Sequence, residues 1–552
     1  MHGAYVTLSH RWGQETAKCS TTLSNVLERK VRLDINALSV PFQHAVAFTR
    51  LLGLRYLWID SICIIQSGDD GVDWSNEALK MGQYYQYSML TVAVTSSAGD
   101  GFLYTRPERP FTTLVRLPFR DKTNVQRGYF YVYKRFTPPS QEFLSSVWNS
   151  ELLGRGWVFQ EWLLSRRVAY FTPLQIYFEC QSSGPESECR DLINPAEIPP
   201  NIDSSFMLKK EITVTETSIE TTWYKVLEMY SRLQLTKTED RIIALGGIAA
   251  EIRESYTVLD IREKKPRALE YISGLWLRDI HYGLLWLQKA NPGKYTRLPG
   301  IPSWSWASLQ LEVKWPTRHQ PMENALQITR LASRNKIYDC SENFSEPAIF
   351  SQRRLDDTSS SALSPSTDAD ENTPSDVFDV NNMFTVLHIR AHLLSLFSRG
   401  PFHTKADLRL AAWATGVSVV EEDLVPWINS LQAGQIDPEG WKAALGLDFQ
   451  LRPWQAICSR LTPDIIGGWG SFELTLENES HITVQAIHVS TEKRVPGGLA
   501  FGSLRTTHEV FNVLFVEEVE LNRYRRVGVG KIFDGDIIAQ FRKGELRDIE
   551  LI

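Results

Sequence analysis

At 552 residues the chain is longer than one hydrophobic core usually serves, so roughly two to four domains are expected. With 43% hydrophobic and 22% charged residues it has the balance of a soluble globular protein, and a net charge of −6 without basic blocks argues against nucleic acid as its main partner. Six cysteines at scattered spacings give neither a disulfide framework nor a zinc motif, so no metal is expected and the thiols read as free, in a reducing compartment. Ahead of the first strand there is no apolar leader, and no run approaches the length of a membrane span, so the expected location is cytoplasmic.

In chain order, Ala4-Tyr5-Val6-Thr7-Leu8-Ser9 reads as a short buried strand that opens into the polar loop His10-Arg11-Trp12-Gly13. A helix follows, with Pro41 in its first turn, Gly53 after its last, and Phe42, Ala45, Val46, Thr49 and Leu52 on its inner face. The β-branched and aromatic run over 56–62 is a second strand, carrying Asp60 and Ser61 at its end. A helix over 74–87 comes next and places Trp74, Glu77 and Met81 on one face. Leu90-Thr91-Val92-Ala93-Val94-Thr95 is the third strand. Apolar strands alternating with helices imply a parallel sheet covered on both faces. Right-handed crossovers then bring Ser9 to Arg11, Asp60, Ser61 and residues 96–100 to one edge, where such sheets bind ligands.

Each polar group at that edge has two readings. Glu77 is either a salt-bridged helix residue or a functional acid. Arg11 and Asp60 are either a mutual ion pair or ligand-binding groups, and Trp12 is either a core plug or a stacking platform. The later Arg155-Gly156-Trp157-Val158-Phe159-Gln160-Glu161 is expected to pack back on this sheet, with Arg155 and Glu161 as a charged pair beside the cleft and a structural salt bridge as their plainer role.

Further on, helical periodicity over 223–230 and 268–287 makes residues 181–320 a mostly helical extension, ending in a strand with Trp304 and Trp306 on one face. Residues 353–376, rich in Ser, Asp, Thr and Pro, read as a disordered linker. Strand-like runs near 385–389, 482–487, 510–516 and 524–529 make residues 377–552 a β-rich region, an antiparallel sandwich or barrel with a helical insertion near 405–447.

Several of these segments, in order, resemble the fungal heterokaryon incompatibility (HET) domain. They are Tyr5 to Gly13, Pro41 to Ala45, Arg55 to Gln66, Asp73-Trp74-x-x-Glu77-x-x-x-Met81 with Tyr85, and Gly154 to Glu161 with Leu164, Ser165 and Arg167. The resemblance implies a domain over 1–180. Relatives carry several dozen residues ahead of the first strand, so the chain reads as either N-terminally shortened or a genuine short form. It also implies an α/β fold of flavodoxin or TIR type and a role in fungal non-self recognition and programmed cell death. By remote similarity to TIR enzymes it makes the Trp-x-x-Glu carboxylate, Glu77, the catalytic residue of a candidate NAD glycohydrolase. NAD would then be a substrate, with no resident cofactor. Ser9, Arg11, Trp12, Asp60, Ser61 and Trp74 are the expected substrate-binding groups. The rival reading is a non-enzymatic module that triggers death by self-association or by binding a non-self recognition partner.

Overall fold

The computed structural model describes residues 3–95, 101–104, 115–132, 138–188, 193, 209, 219–264, 270–288, 297–316, 322–333, 337–339, 384–401, 455–463, 466–473, 482–493 and 506–552. The expected linker over 353–376, the insertion near 405–447 and the loop residues 96–100 fall outside them. The chain divides into two compact units, Met1–Ile252 and Arg253–Ile552.

The first unit is built on a six-stranded sheet. Its strands are β1 (Tyr5–Ser9), β2 (Tyr56–Trp58), β3 (Leu90–Val94), β6 (Arg167–Phe171), β7 (Ile176–Cys180) and β8 (Gly184–Ser187), while β4 (Val115–Arg120) and β5 (Gln126–Val132) form a separate hairpin. The sheet order is β2-β1-β3-β6-β7-β8, and the first four strands are parallel. The registers Val6↔Leu57 and Thr7↔Thr91 align β1 with β2 and with β3, so the carboxyl ends of the three strands share one edge. Val6, Leu8, Phe42, Val92, Val94 and Phe171 form the core on one side. The Val40–Leu51 helix buries Phe42, Ala45 and Thr49 as its spacing predicts, but Leu52 is exposed because the helix has already ended there.

Two expected elements are shorter than the sequence suggests. The second strand stops at Trp58, and Asp60–Cys63 is a helical turn closed by Cys63 N–H to the Ile59 carbonyl at 2.8 Å. β-Branched residues favour a strand, but the Asp60 carboxylate accepts the Ser61 N–H at 2.6 Å and stabilises the turn locally. The helix expected over 74–87 is two, Val72–Ala78 and Met81–Gln86.

In the second unit, residues 270–288 are not the helix that their apolar spacing predicts. Tyr271–Ile272 and Leu275–Trp276 form a tight hairpin through Ser273 and Gly274, both at positive φ, as a primed turn requires. Trp304 and Trp306 do not share a strand face either. Ser305 accepts the Ala307 N–H at 3.1 Å and starts a 3-10 turn over Trp306–Ser308, and both indoles are fully buried. Among the described residues of the expected mostly helical middle, the long helices are Ile219–Ser231 and Gly246–Glu263, followed by short strands, 3-10 turns and the brief helix Ile280–Gly283.

The β-rich part closes on itself. Phe384–Pro401 pairs with Ile482–Lys493, which leads through Thr506–Glu520, Arg523–Asp534, Ile466–Phe472 and Gln455–Ser459 back to Phe384–Pro401. This ring of six strands is an antiparallel barrel, which leaves no open edge along the ring. Its core holds Phe472, Phe511, Phe515 and Ile532, and the Gly535–Lys543 helix, N-capped by Asp534, adds Ile537, Ile538 and Phe541.

Candidate functional site

The loops after β1 and β2 leave the sheet at its carboxyl edge, where Trp12 and Asp60 hold each other. Trp12 Nε1 donates to Asp60 Oδ2 at 3.1 Å, so the indole stands beside the carboxylate as an anchored partner. Ser61 is buried directly after Asp60. Arg11 points elsewhere: its guanidinium pairs with Glu151, both groups being largely exposed. Of the two readings of Arg11 and Asp60, their mutual ion pair is not formed.

Glu77 sits in the Val72–Ala78 helix with its carboxylate mostly covered. Oε1 accepts from Lys80 at 2.8 Å, and Oε2 accepts from the Tyr84 hydroxyl. Desolvation works against its charge, but these hydrogen bonds and the Lys80 ammonium prevail and hold its pKa below the usual carboxylate range. Tyr84 in turn stacks on Trp58, the last residue of β2, with ring centroids 4.0 Å apart. Asp60 and Glu77 both act on the Cys63 thiol. Desolvation pushes it up, and the two carboxylates add to the rise. Trp74 faces away from this group, edge-on to Trp157 with centroids 5.9 Å apart and with Lys237 over its ring at 5.8 Å.

The most perturbed acid at the edge is Glu161, in the Gly156–Leu164 helix, which packs on the Met81–Gln86 helix. Gly156 lets this helix start against the chain at Leu235, since a Cβ there would lie 2.6 Å from Leu235 Cδ2. Glu161 is 6% exposed and faces Ser9, Tyr85, Asp60 and Arg155. Burial first, then the Asp60 charge, raise its pKa to about 7, against the pull of Ser9, Arg155 and Tyr85. Arg155 donates to the His10 carbonyl at 3.1 Å and so ties the helix start to the β1 loop. His10 is buried edge-on to Phe42, and burial lowers its pKa.

The structure therefore gathers Ser9, Trp12, Asp60, Ser61 and Glu161 into one cluster. Glu77 is held by Lys80 and Tyr84, and Arg11 and Trp74 turn to other partners. Sequence reasoning noticed Glu161 but gave it a structural role, because its partners come from residues 9, 60 and 85 and no local pattern joins them. Among the described residues no group of three or more His, Cys, Asp or Glu is placed to hold a metal ion.

A parallel sheet whose carboxyl edge carries a buried carboxyl next to a hydrogen-bonded aspartate defines an α/β domain with a polar site at the strand ends. Residues 5–161, which span β1 to Glu161, match the family model described as Heterokaryon incompatibility protein (HET), so the N-terminal part of this chain carries a heterokaryon incompatibility domain. No curated protein matches the chain. No solved structure matches it either.

Proposed function

We propose that this chain acts in heterokaryon incompatibility as a fungal, cytoplasmic death effector, and that its first unit does so by hydrolysing NAD in a TIR-like manner. The observation that supports this reading most is the buried Glu161 carboxyl, raised to a pKa of about 7 beside Asp60 and Ser9 at the carboxyl ends of β2 and β1, in the same unit as the ionised Glu77. Cleaving the bond between nicotinamide and ribose develops positive charge on the ribose, and a fixed carboxylate stabilises it. Nicotinamide leaves as a neutral molecule from a cationic precursor, so this step needs no strong acid. The attacking water must lose a proton, and a carboxyl with a pKa of about 7 is matched to accept it near neutral pH. In this reading Trp12 stacks on a ring of the substrate, Asp60 and Ser61 accept or donate to ribose hydroxyls, and Arg11 exchanges Glu151 for the pyrophosphate.

A specific observation favours the rival reading. Lys80 and Tyr84 already occupy both oxygens of Glu77, the arrangement expected of a structural carboxylate in a module that signals by association. Purified full-length protein assayed for NAD consumption separates the two. Loss of NAD turnover by orders of magnitude in Glu77→Gln, with thermal stability unchanged, supports hydrolysis. Host toxicity that persists in Glu77→Gln at constant cellular NAD establishes association instead.

A further inference from the structure

The β4–β5 hairpin, Val115–Arg120 paired with Gln126–Val132, hydrogen-bonds to no other described strand. Its turn is firmly made. The Asp121 carboxylate accepts from the Thr123 and Val125 N–H groups at 2.9 and 3.0 Å and from Arg127 Nε at 2.7 Å, and Asn124 takes the left-handed conformation at φ +65°. The alternation of a strand sorts the rest onto two faces. Val115, Leu117 and Phe119 stand opposite Val132, Phe130 and Gly128 on one face. On the other, Arg116 and Arg120 accompany Tyr129 and Tyr131, and the Arg116 guanidinium lies 3.4 Å from the centroid of the Tyr129 ring.

Both faces are open to solvent. The five large apolar side chains of the first face are between 39% and 53% exposed, and Tyr129 and Tyr131 are 47% and 53% exposed. A two-stranded hairpin is marginally stable by itself, and a contiguous apolar face of this kind on a soluble protein marks a contact surface. The charge indicates what covers it. Four cations against one carboxylate give residues 115–132 a net charge of +3, in a chain whose net charge is −6. A second copy of the hairpin fits poorly, since five half-exposed side chains fall well short of the roughly 800 Å² per partner of a standard stable interface. A hairpin with one apolar face and with arginine and tyrosine on the other suits the boundary between acyl chains and anionic headgroups, where tyrosine is enriched and cations are attracted.

We propose that the β4–β5 hairpin is a peripheral docking element for an anionic lipid surface, inserting Phe119 and Phe130 below the headgroups while Arg116, Arg120 and Lys122 engage lipid phosphates or carboxylates. The test is co-sedimentation of the full-length protein with phosphatidylcholine vesicles containing about 30% phosphatidylserine, and with vesicles of phosphatidylcholine alone. Binding should require the anionic lipid and weaken with salt. Each cation removed should lower the partition coefficient about fivefold, so that Arg116→Gln with Arg120→Gln lowers it about 25-fold. These two side chains are exposed, so the far-ultraviolet circular dichroism spectrum should not change. Phe119→Ser with Phe130→Ser should abolish insertion while leaving weak, fully salt-sensitive association. Equal binding to both vesicle types, no binding, or insensitivity to the arginine pair would overturn the proposal. So would concentration-dependent dimerisation lost in the phenylalanine pair, or capture of an acidic protein through the same arginines without vesicle binding.

Discussion

Replacing Glu161 by glutamine should make the first unit more stable, and only at neutral and alkaline pH. The carboxyl is raised from its ordinary value of 4.5 to about 7 in the folded chain. A group whose pKa is higher when folded holds its proton more tightly in the native state. Its contribution to stability is therefore complete below about pH 4.5 and disappears as the pH rises through about 7. A rise of this size corresponds to roughly 3 kcal/mol, the cost of ionising Glu161 against burial and the Asp60 charge. Glutamine keeps the shape and stays neutral, so it does not titrate. In urea unfolding followed by tryptophan fluorescence, wild type and Glu161→Gln should be nearly equal at pH 5. By pH 8 the variant should lead by about 2–3 kcal/mol in the transition of the first unit. A difference that is the same at every pH would refute the reasoning, because it would place the effect in packing. Lower stability of the variant at pH 8 would mean that the ionised carboxylate is satisfied in the fold.

Two further outcomes concern the second unit. Gly274→Ala should cost about 2–4 kcal/mol by thermal unfolding, since the residue sits at φ +92° and its Cβ would lie 2.6 Å from Nε1 of the fully buried Trp306. In the barrel, Lys531 Nζ lies 2.6 Å from Glu492 Oε1, both side chains are buried, and Asn512 donates to the same oxygen at 3.0 Å. Lys531→Met alone should cost about 3–5 kcal/mol by leaving a buried carboxylate without its cation, and adding Glu492→Leu should recover much of that loss. A double-mutant cycle in denaturant measures the recovery.

The elements legible in the residues alone are local or strictly periodic. The strand of Tyr5–Ser9, the helix behind Pro41 and the strand of Leu90–Val94 follow from runs whose burial pattern repeats within a few residues, and their alternation implies a parallel sheet. The ordered motifs from Tyr5 to Glu161 were enough to indicate the heterokaryon incompatibility domain. Where local hydrogen bonding competed with propensity, the sequence misled. Asp60 turns the end of the second strand into a helical turn, Ser305 does the same to the tryptophan segment, and Ser273-Gly274 folds a helical-looking stretch into a hairpin. The electrostatics of the site were decided only by tertiary structure. Glu77 is equally a helix residue in sequence whether or not Tyr84 turns back to it. Glu161 becomes a proton-holding acid only because the Gly156–Leu164 helix buries it against Ser9 and Asp60, residues about 150 and 100 positions away. Desolvation and charge depend on separation in space, and separation along the chain does not encode them.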